Sequence, residues 1–276
     1  MYLLFDIGGT KTRIAVSKNG KSFVKQKTFL TPKKFNDGIA AIKKTAEELS
    51  AGQKIKSVCG GVAGPLDRKK EFLTAANMRD WTNKPLKKRL EKIFSAPVFL
   101  ENDAALAGLG EVHFGAAKNK KIVAYITVST GVGGSRIVDG KIDANFLGFE
   151  PGYQIIDACG QICKKCDNGH LLDHISGDAL KKHFGVEPKK IFDPKIKNDL
   201  AWWLAVGLNN SIVHWSPEIV VLGGSVMNII PLDRVRQYLK NFLKIFPVAP
   251  KIKKAALGDL GGLYGALVLL KQKSAI

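Results

Sequence analysis

Leu3-Leu4-Phe5-Asp6-Ile7-Gly8-Gly9-Thr10-Lys11-Thr12-Arg13-Ile14-Ala15-Val16 governs the reading of the chain. Tyr2–Phe5 is an apolar run of the kind that forms a buried strand. The chain turns at Gly8-Gly9 and leaves as a second alternating run, Thr12–Val16. Glycine accepts the positive φ angles of tight hairpins, so the stretch predicts two antiparallel strands. A plain hairpin tip has no use for Asp6, Thr10 and Lys11 together. Gly8 and Gly9 would let backbone N–H groups approach an anion, with Thr10 and Lys11 adding donors. Asp6 can hold a hydrated Mg²⁺, a set that suits nucleotide phosphates. The alternative is a decorated tight turn.

Working outward, Ser22–Thr28 reads as a third strand, and Pro32 opens a helix with Phe35, Ile39, Ile42, Ala46 and Leu49 at helical spacing. Ser57–Ala63 is a glycine-rich strand followed by the turn Gly64-Pro65-Leu66-Asp67. A loop with Asn77 and Trp81 leads to the amphipathic helix Leu86–Phe94, and Val98–Leu100 is a strand ending in Glu101-Asn102-Asp103. Alternating strands and helices after a hairpin start predict an α/β fold. A second set begins at Ile122–Val128, runs through Ser129-Thr130-Gly131-Val132-Gly133-Gly134-Ser135 and returns at Arg136–Val138. Strand, glycine turn with hydroxyls, strand thus occurs twice. Further on come the helix Asp199–Val213, the strand Ile219–Leu222 with Gly223-Gly224-Ser225, the amphipathic Asp233–Phe246, and the small-residue helix Gly261–Leu270. The expected division is residues 1–112 and 113–276.

The chain has 276 residues and a hydrophobic fraction of 45%, ample for a core. No apolar run approaches the roughly 20 residues of a membrane span, and the start carries no basic leader, so a cytoplasmic protein is expected. Lys+Arg number 43 against 24 Asp+Glu, a net charge of +19 that attracts anions. The excess is lysine scattered in pairs such as Lys69-Lys70 and Lys120-Lys121, a pattern of solvated faces. Lysine is poorly suited to reading base edges, so no sequence-specific nucleic acid is expected.

Three glycine turns follow three strands: Gly8-Gly9-Thr10, Thr130-Gly131-Val132-Gly133-Gly134 and Gly223-Gly224-Ser225. Together they would surround one nucleotide, the first two facing phosphates and the third facing base and ribose; separately they are ordinary turns. Glu101-Asn102-Asp103 sits where a strand opens into a helix. A carboxylate there can accept the proton of a hydroxyl that attacks a phosphoryl group. Asp103 is the candidate base and Asn102 a hydroxyl partner; the alternative is that Asp103 only caps the helix.

FDIGGTKTRIAV, GVAGPLD, AANMRDW, ENDAALAGLGE, TVSTGVGGSRIVDGKI, FEPGY, LLDHISG, IVVLGGS and LGDLGGLYGA, in this order, resemble the ROK family of sugar kinases and sugar-responsive repressors. The resemblance implies a two-domain actin-like ATPase fold of ribonuclease H-like topology with an interdomain cleft, and ATP-dependent phosphorylation of a hexose hydroxyl. It implies that Asp103 is the catalytic base and that Gly64, Asn77, Asn102 and Glu150 serve the sugar. Asp6, Gly8, Gly9, Thr10, Lys11, Thr130, Gly131 and Gly133 would serve the phosphates and Mg²⁺, and Gly223 and Gly224 the adenosine. It implies that the last helix, about 261–272, packs toward the N-terminal domain. It allows a homodimer, and also a non-catalytic sugar-binding regulator or a degenerate protein with an altered substrate.

Two positions depart from the family. Tyr153 stands where the family usually has a histidine that serves sugar and zinc, and a tyrosine can still hydrogen-bond a hydroxyl. Leu172 stands on a family glutamate, with Asp173 the nearest carboxylate. Cys159, Cys163, Cys166 and His170 replace the family's usual cysteine spacing, and a Cys₃His set with these gaps can close around structural Zn²⁺. Free thiols are the alternative. His174 is a spare candidate, and Cys59 reads as a core residue.

Overall fold

The computed structural model describes residues 1–67, 69–71, 74, 78–160, 162 and 168–273, with the backbone alone at Cys159. The opening stretch forms β1 (Tyr2–Ile7) and β2 (Lys11–Ser17), paired antiparallel with Asp6 opposite Arg13. β3 (Lys25–Leu30) adds antiparallel to β2. It starts later than Ser22 because Asn19 Oδ1 accepts the N–H groups of Lys21 and Ser22, which holds them in a turn. Helix α1 (Phe35–Ser50) begins three residues beyond Pro32, its first N–H donated to the Asp80 carboxylate at 2.7 Å. β4 (Ser57–Val62) runs parallel to β1; α2 (Leu86–Phe94) leads to β5 (Val98–Asn102), parallel to β4, and to α3 (Asp103–Phe114). The sheet order is β3-β2-β1-β4-β5.

The second half repeats the plan. β6 (Ile122–Val128), β7 (Val132–Val138) and β8 (Lys141–Ile142) form an antiparallel meander. Short α4 (Leu171–Ile175), α5 (Gly177–Phe184) and the long α6 (Pro194–Trp215) precede β9 (Ile219–Gly223), which is parallel to β6. Then come α7 (Leu232–Phe242), β10 (Lys251–Lys254) and α8 (Gly261–Lys273). The order β10-β9-β6-β7-β8 mirrors the first sheet, so the expected echo is real at the level of topology.

The chain divides into two units: Met1–Phe114 with Ala144–Gly148 and Asp259–Ile276, and Gly115–Asp143 with Phe149–Gly258. In the first, Leu3, Phe5 and Ile7 of β1 share a core with Ile39 and Ile42 of α1 and with Trp81. Gly38 is required there, since a Cβ would lie 2.1 Å from the Trp81 ring. Also in this unit, α8 is buried along most of its length and packs on α3, with a Cβ on Gly265 falling 1.8 Å from the Leu106 carbonyl. The second unit closes around Leu204, Leu208 and Ile212 of α6 against Val220 and Leu222 of β9.

Candidate functional site

In the first unit, parallel register aligns Asp6, Gly61 and Glu101 across β1, β4 and β5, with Arg13 beside Asp6 on β2. The sequence reading named Asp6 but missed its partner. Arg13 Nη1 lies 3.4 Å from Asp6 Oδ2, and Nη2 donates to Asp259 Oδ2 at 2.6 Å. Asp259 belongs to the LGDLGG stretch, which was the available signal. Burial, and after it the neighbouring Asp103 carboxylate, push the Asp6 carboxyl up to about 7 against the opposing charge of Arg13.

Asp103 is the first residue of α3, and Gly61 leaves the room it needs, a Cβ there falling 3.0 Å from Asp103 Cα. The helix cap is made by Asn102, whose Oδ1 accepts the Ala105 N–H at 3.0 Å while Nδ2 donates to the Gly64 carbonyl at 3.2 Å. Capping is therefore not the task of Asp103, whose Oδ1 accepts the adjacent Ala104 N–H at 2.8 Å. Burial lifts its carboxyl to about 6, against the pull of backbone N–H groups. Gly64 takes φ +112°, a conformation other residues adopt only with strain. Asn77 lies outside the described residues.

The first glycine turn corrects one expectation: neither Gly8 nor Gly9 takes a positive φ. Gly8 donates to the Lys11 carbonyl at 3.0 Å, and a Cβ on it would lie 3.3 Å from that oxygen, so the absent side chain rather than the φ angle is what the turn uses. Thr31 Oγ1 donates to the Gly8 carbonyl at 2.7 Å and its N–H reaches the Thr10 carbonyl at 3.0 Å, fixing the tip. Thr10 and Lys11 are exposed.

In the second unit, the elements converge on the tip Ser129–Gly131. The turn is shorter than expected, since Gly133 and Gly134 belong to β7. The reason is packing: a Cβ on Gly134 would lie 2.6 Å from the Tyr125 carbonyl. Gly131 has open space around it. Gly177 and Asp178, opening α5, donate to the Ser129 and Thr130 carbonyls at 2.7 and 3.1 Å. Gly224, at φ +91°, sits where a Cβ would be 2.2 Å from the Val128 carbonyl, and Ser225 Oγ lies 3.4 Å from Ser129 Oγ. Gly223 closes β9. Gly152 abuts the Val132 carbonyl, which docks the Glu150–Tyr153 turn onto the start of β7.

Glu150 is half-buried and Tyr153 is exposed, its ring 5.5 Å from His170. Leu172 packs against the core of the unit, and Asp173 Oδ2 accepts the His170 N–H at 3.2 Å. Leu172 and Asp173 share a cavity of about 180 Å³ with Ser176, Asp178, Lys182 and His183. Cys163 and Cys166 lie outside the described residues, as does the Cys159 side chain; among the described residues no three His, Cys, Asp or Glu side chains are grouped to hold a metal. His174 is buried against Trp203 at 3.8 Å, with Asp157 Oδ2 4.0 Å from Nε2, as a core histidine. Cys59 is likewise buried.

Residues 2–273 match the ROK family. The chain is 29% identical to a glucokinase of Streptomyces coelicolor, over 98% of each. A ROK hexokinase structure from Thermus thermophilus superposes with a TM-score of 0.84 at 30% identity, covering 99% of both chains. A ROK glucokinase from Streptomyces griseus, in complex with glucose and AMPPNP, superposes at 0.83 with 27% identity over 98% of this chain and 99% of that one.

Proposed function

We propose that this chain, which belongs to the ROK family, is a sugar kinase that moves the γ-phosphoryl group of ATP to a hydroxyl of a hexose or hexose derivative. The observation that carries the reading is Asp103: a carboxylate at a strand-to-helix corner, relieved of capping by Asn102 and raised to about 6. At neutral pH such a group is ionised yet basic enough to accept a hydroxyl proton as the oxygen attacks phosphorus. Asn102 and Gly64 hold the corner and face the sugar. Asn102 Nδ2 donates one hydrogen to Gly64 and keeps a second for a hydroxyl. Asn77, Glu150, Tyr153 and Asp173 complete the sugar-side set.

Gly8, Gly9, Thr10 and Lys11 serve the phosphates from the first unit, and Thr130, Gly131 and Gly133 from the second. The open space at Gly131 supports this, because protein packing alone does not call for glycine there. Gly223 and Gly224 serve the adenosine. Asp6 is the residue that would hold Mg²⁺, whose charge would offset that of the phosphates. Cys159, Cys163, Cys166 and His170 are the residues that would hold a structural Zn²⁺, since thiolates and an imidazole are the donors zinc favours. Metal analysis of the purified protein and of a Cys163→Ser variant tests that assignment; equal zinc content in both would remove it.

A sugar panel with ATP tests the kinase reading. Turnover of a hexose or N-acetylhexosamine, absent in Asp103→Asn, is the expected result, and no turnover above that variant overturns it. The apolar Leu172 favours a second reading, a sugar-binding regulator or degenerate protein with altered substrate. Sugar-dependent thermal stabilisation without turnover would select it. Among the described residues no helix is long and apolar enough to cross a membrane. A cytoplasmic location and a homodimer belong to the same proposal, the latter tested by sedimentation.

A further inference from the structure

Lys70 belongs to one of the lysine pairs that the sequence presents as solvated, yet its ammonium is committed. Its Nζ pairs with Glu101 Oε2, on a glutamate whose side chain is only 11% exposed. The other oxygen of that carboxylate, Oε1, accepts the Asn102 N–H at 3.0 Å. Glu101 is therefore held from both sides, one residue before Asn102 and two before Asp103.

The segment carrying Lys70 is shaped to deliver it. Asp67 accepts the Glu71 N–H at 2.6 Å and the Lys69 N–H at 3.3 Å through its carboxylate, and the Lys70 N–H at 2.8 Å through its carbonyl. Lys70 itself takes φ +55°, which a lysine adopts at some cost. Leu66 is buried in the core of the unit, and Thr74 donates to the Pro65 carbonyl at 2.8 Å. The same segment begins at Gly64, whose carbonyl receives Asn102 Nδ2. Two ties thus join the loop leaving β4 to the end of β5: Asn102 to Gly64 and Lys70 to Glu101. The two ties lie on either side of the buried Leu66, so the Lys70 pair fixes the part of the loop beyond that anchor.

We propose that Lys70 is a positioning residue for the acceptor sugar, holding the Gly64 loop against the Glu101–Asp103 corner through its pair with Glu101. The proposal rests on the kinase reading for its consequence and on geometry for the tie itself. Lys70 acts through Glu101 and Asn102 and does not touch the reacting atoms. Its loss loosens the sugar side while leaving the phosphoryl donor and the base in place.

The experiment compares wild type with Lys70→Met, Lys70→Arg and Glu101→Gln. Amide hydrogen exchange without any ligand reads the tie. Exchange at Asn102, Ala105 and Thr74 should speed up in Lys70→Met and Glu101→Gln and return toward wild type in Lys70→Arg. Steady-state kinetics read the consequence: sugar KM about tenfold higher in Lys70→Met, with kcat and the KM for ATP within about twofold, and partial recovery in Lys70→Arg. Unchanged exchange in both Lys70→Met and Glu101→Gln overturns the tie. Unchanged sugar KM in an active, folded Lys70→Met overturns the positioning role. A wild type that turns over no sugar overturns the kinase reading and the kinetic half of the proposal, and exchange still decides the tie.

Discussion

The backbone of Gly262 lies against the carboxyl of Asp6: a Cβ at position 262 would fall 2.8 Å from Asp6 Cγ and 3.0 and 3.1 Å from its two oxygens. The side chain that would be displaced is only 14% exposed and already engaged with Arg13. Gly262→Ala is therefore expected to destabilise by about 1–3 kcal/mol, the usual range for overpacking. Gly261→Ala is the control, because its Cβ would meet Ala107 at an ordinary 3.5 Å. Urea denaturation of the two variants checks the contrast, and equal midpoints would refute it.

Asp103→Asn keeps the shape of the corner and removes the base. Turnover is expected to fall by about 10²–10⁴-fold, the range for losing a general base. In the wild type the carboxyl raised to about 6 must be ionised to act, so kcat/KM is expected to drop as pH falls below about 6. A pH–rate profile flat down to pH 4.5 would assign the proton to another group.

The same elevation has a consequence for folding. Asp103 in the native state binds its proton up to about pH 6, whereas the unfolded chain releases it in the ordinary carboxylate range. Stability contributed by this group is present at pH below that range and is lost as pH rises through about 6. Asp103→Asn, which carries no charge, should exceed wild type by about 2–3 kcal/mol at pH 8 and by less than about 1 kcal/mol at pH 4. Paired urea titrations at the two pH values measure the gap, and an equal gap at both would contradict it.

What the chain declares in its sequence is what repeats or alternates. The α/β class, β6, the helix Leu86–Phe94 and the duplicated strand-turn-strand all follow from apolar runs and their punctuation. β10 escaped because an edge strand with one buried residue, Ile252 in Lys-Ile-Lys-Lys, carries no period to detect. The glycines misled in a specific way. Gly8, Gly9 and Gly133 look like turn residues by type, but the backbone uses the space at Gly8 rather than its φ freedom and extends a strand through Gly133. Asp103 and Asn102 could be named from their motif. That Asn102 makes the cap depends on which of two adjacent side chains points along the helix, which the sequence does not state. Arg13 with Asp259 and Lys70 with Glu101 join residues 246 and 31 positions apart, and only the assembled sheet brings such partners together.

Arg13 offers the sharpest electrostatic test. Its guanidinium bridges the shielded Asp6 and the exposed Asp259, whose side chain is 77% accessible. Asp259 loses little when Arg13 is removed, since water solvates it. Asp6 does not have that option: burial and the charge of Asp103 already hold its carboxyl near 7, and Arg13 is what opposes them. In Arg13→Met the Asp6 carboxyl should move above 7 and stay protonated through the neutral range. At pH 5 the wild-type carboxyl is itself protonated, so the variant should lose little more than packing. At pH 8 the wild type has the ion pair and the variant has none, and the loss should grow by about 1–3 kcal/mol, below the full cost of breaking a deeply buried pair. Arg13→Lys keeps the charge but lacks the fork that spans two carboxylates, so it should recover only part of the difference. Urea denaturation at pH 5 and pH 8 reads all three proteins. A loss of the same size at both pH values would mean that Arg13 serves as filler for the sheet and leaves the Asp6 charge unaffected.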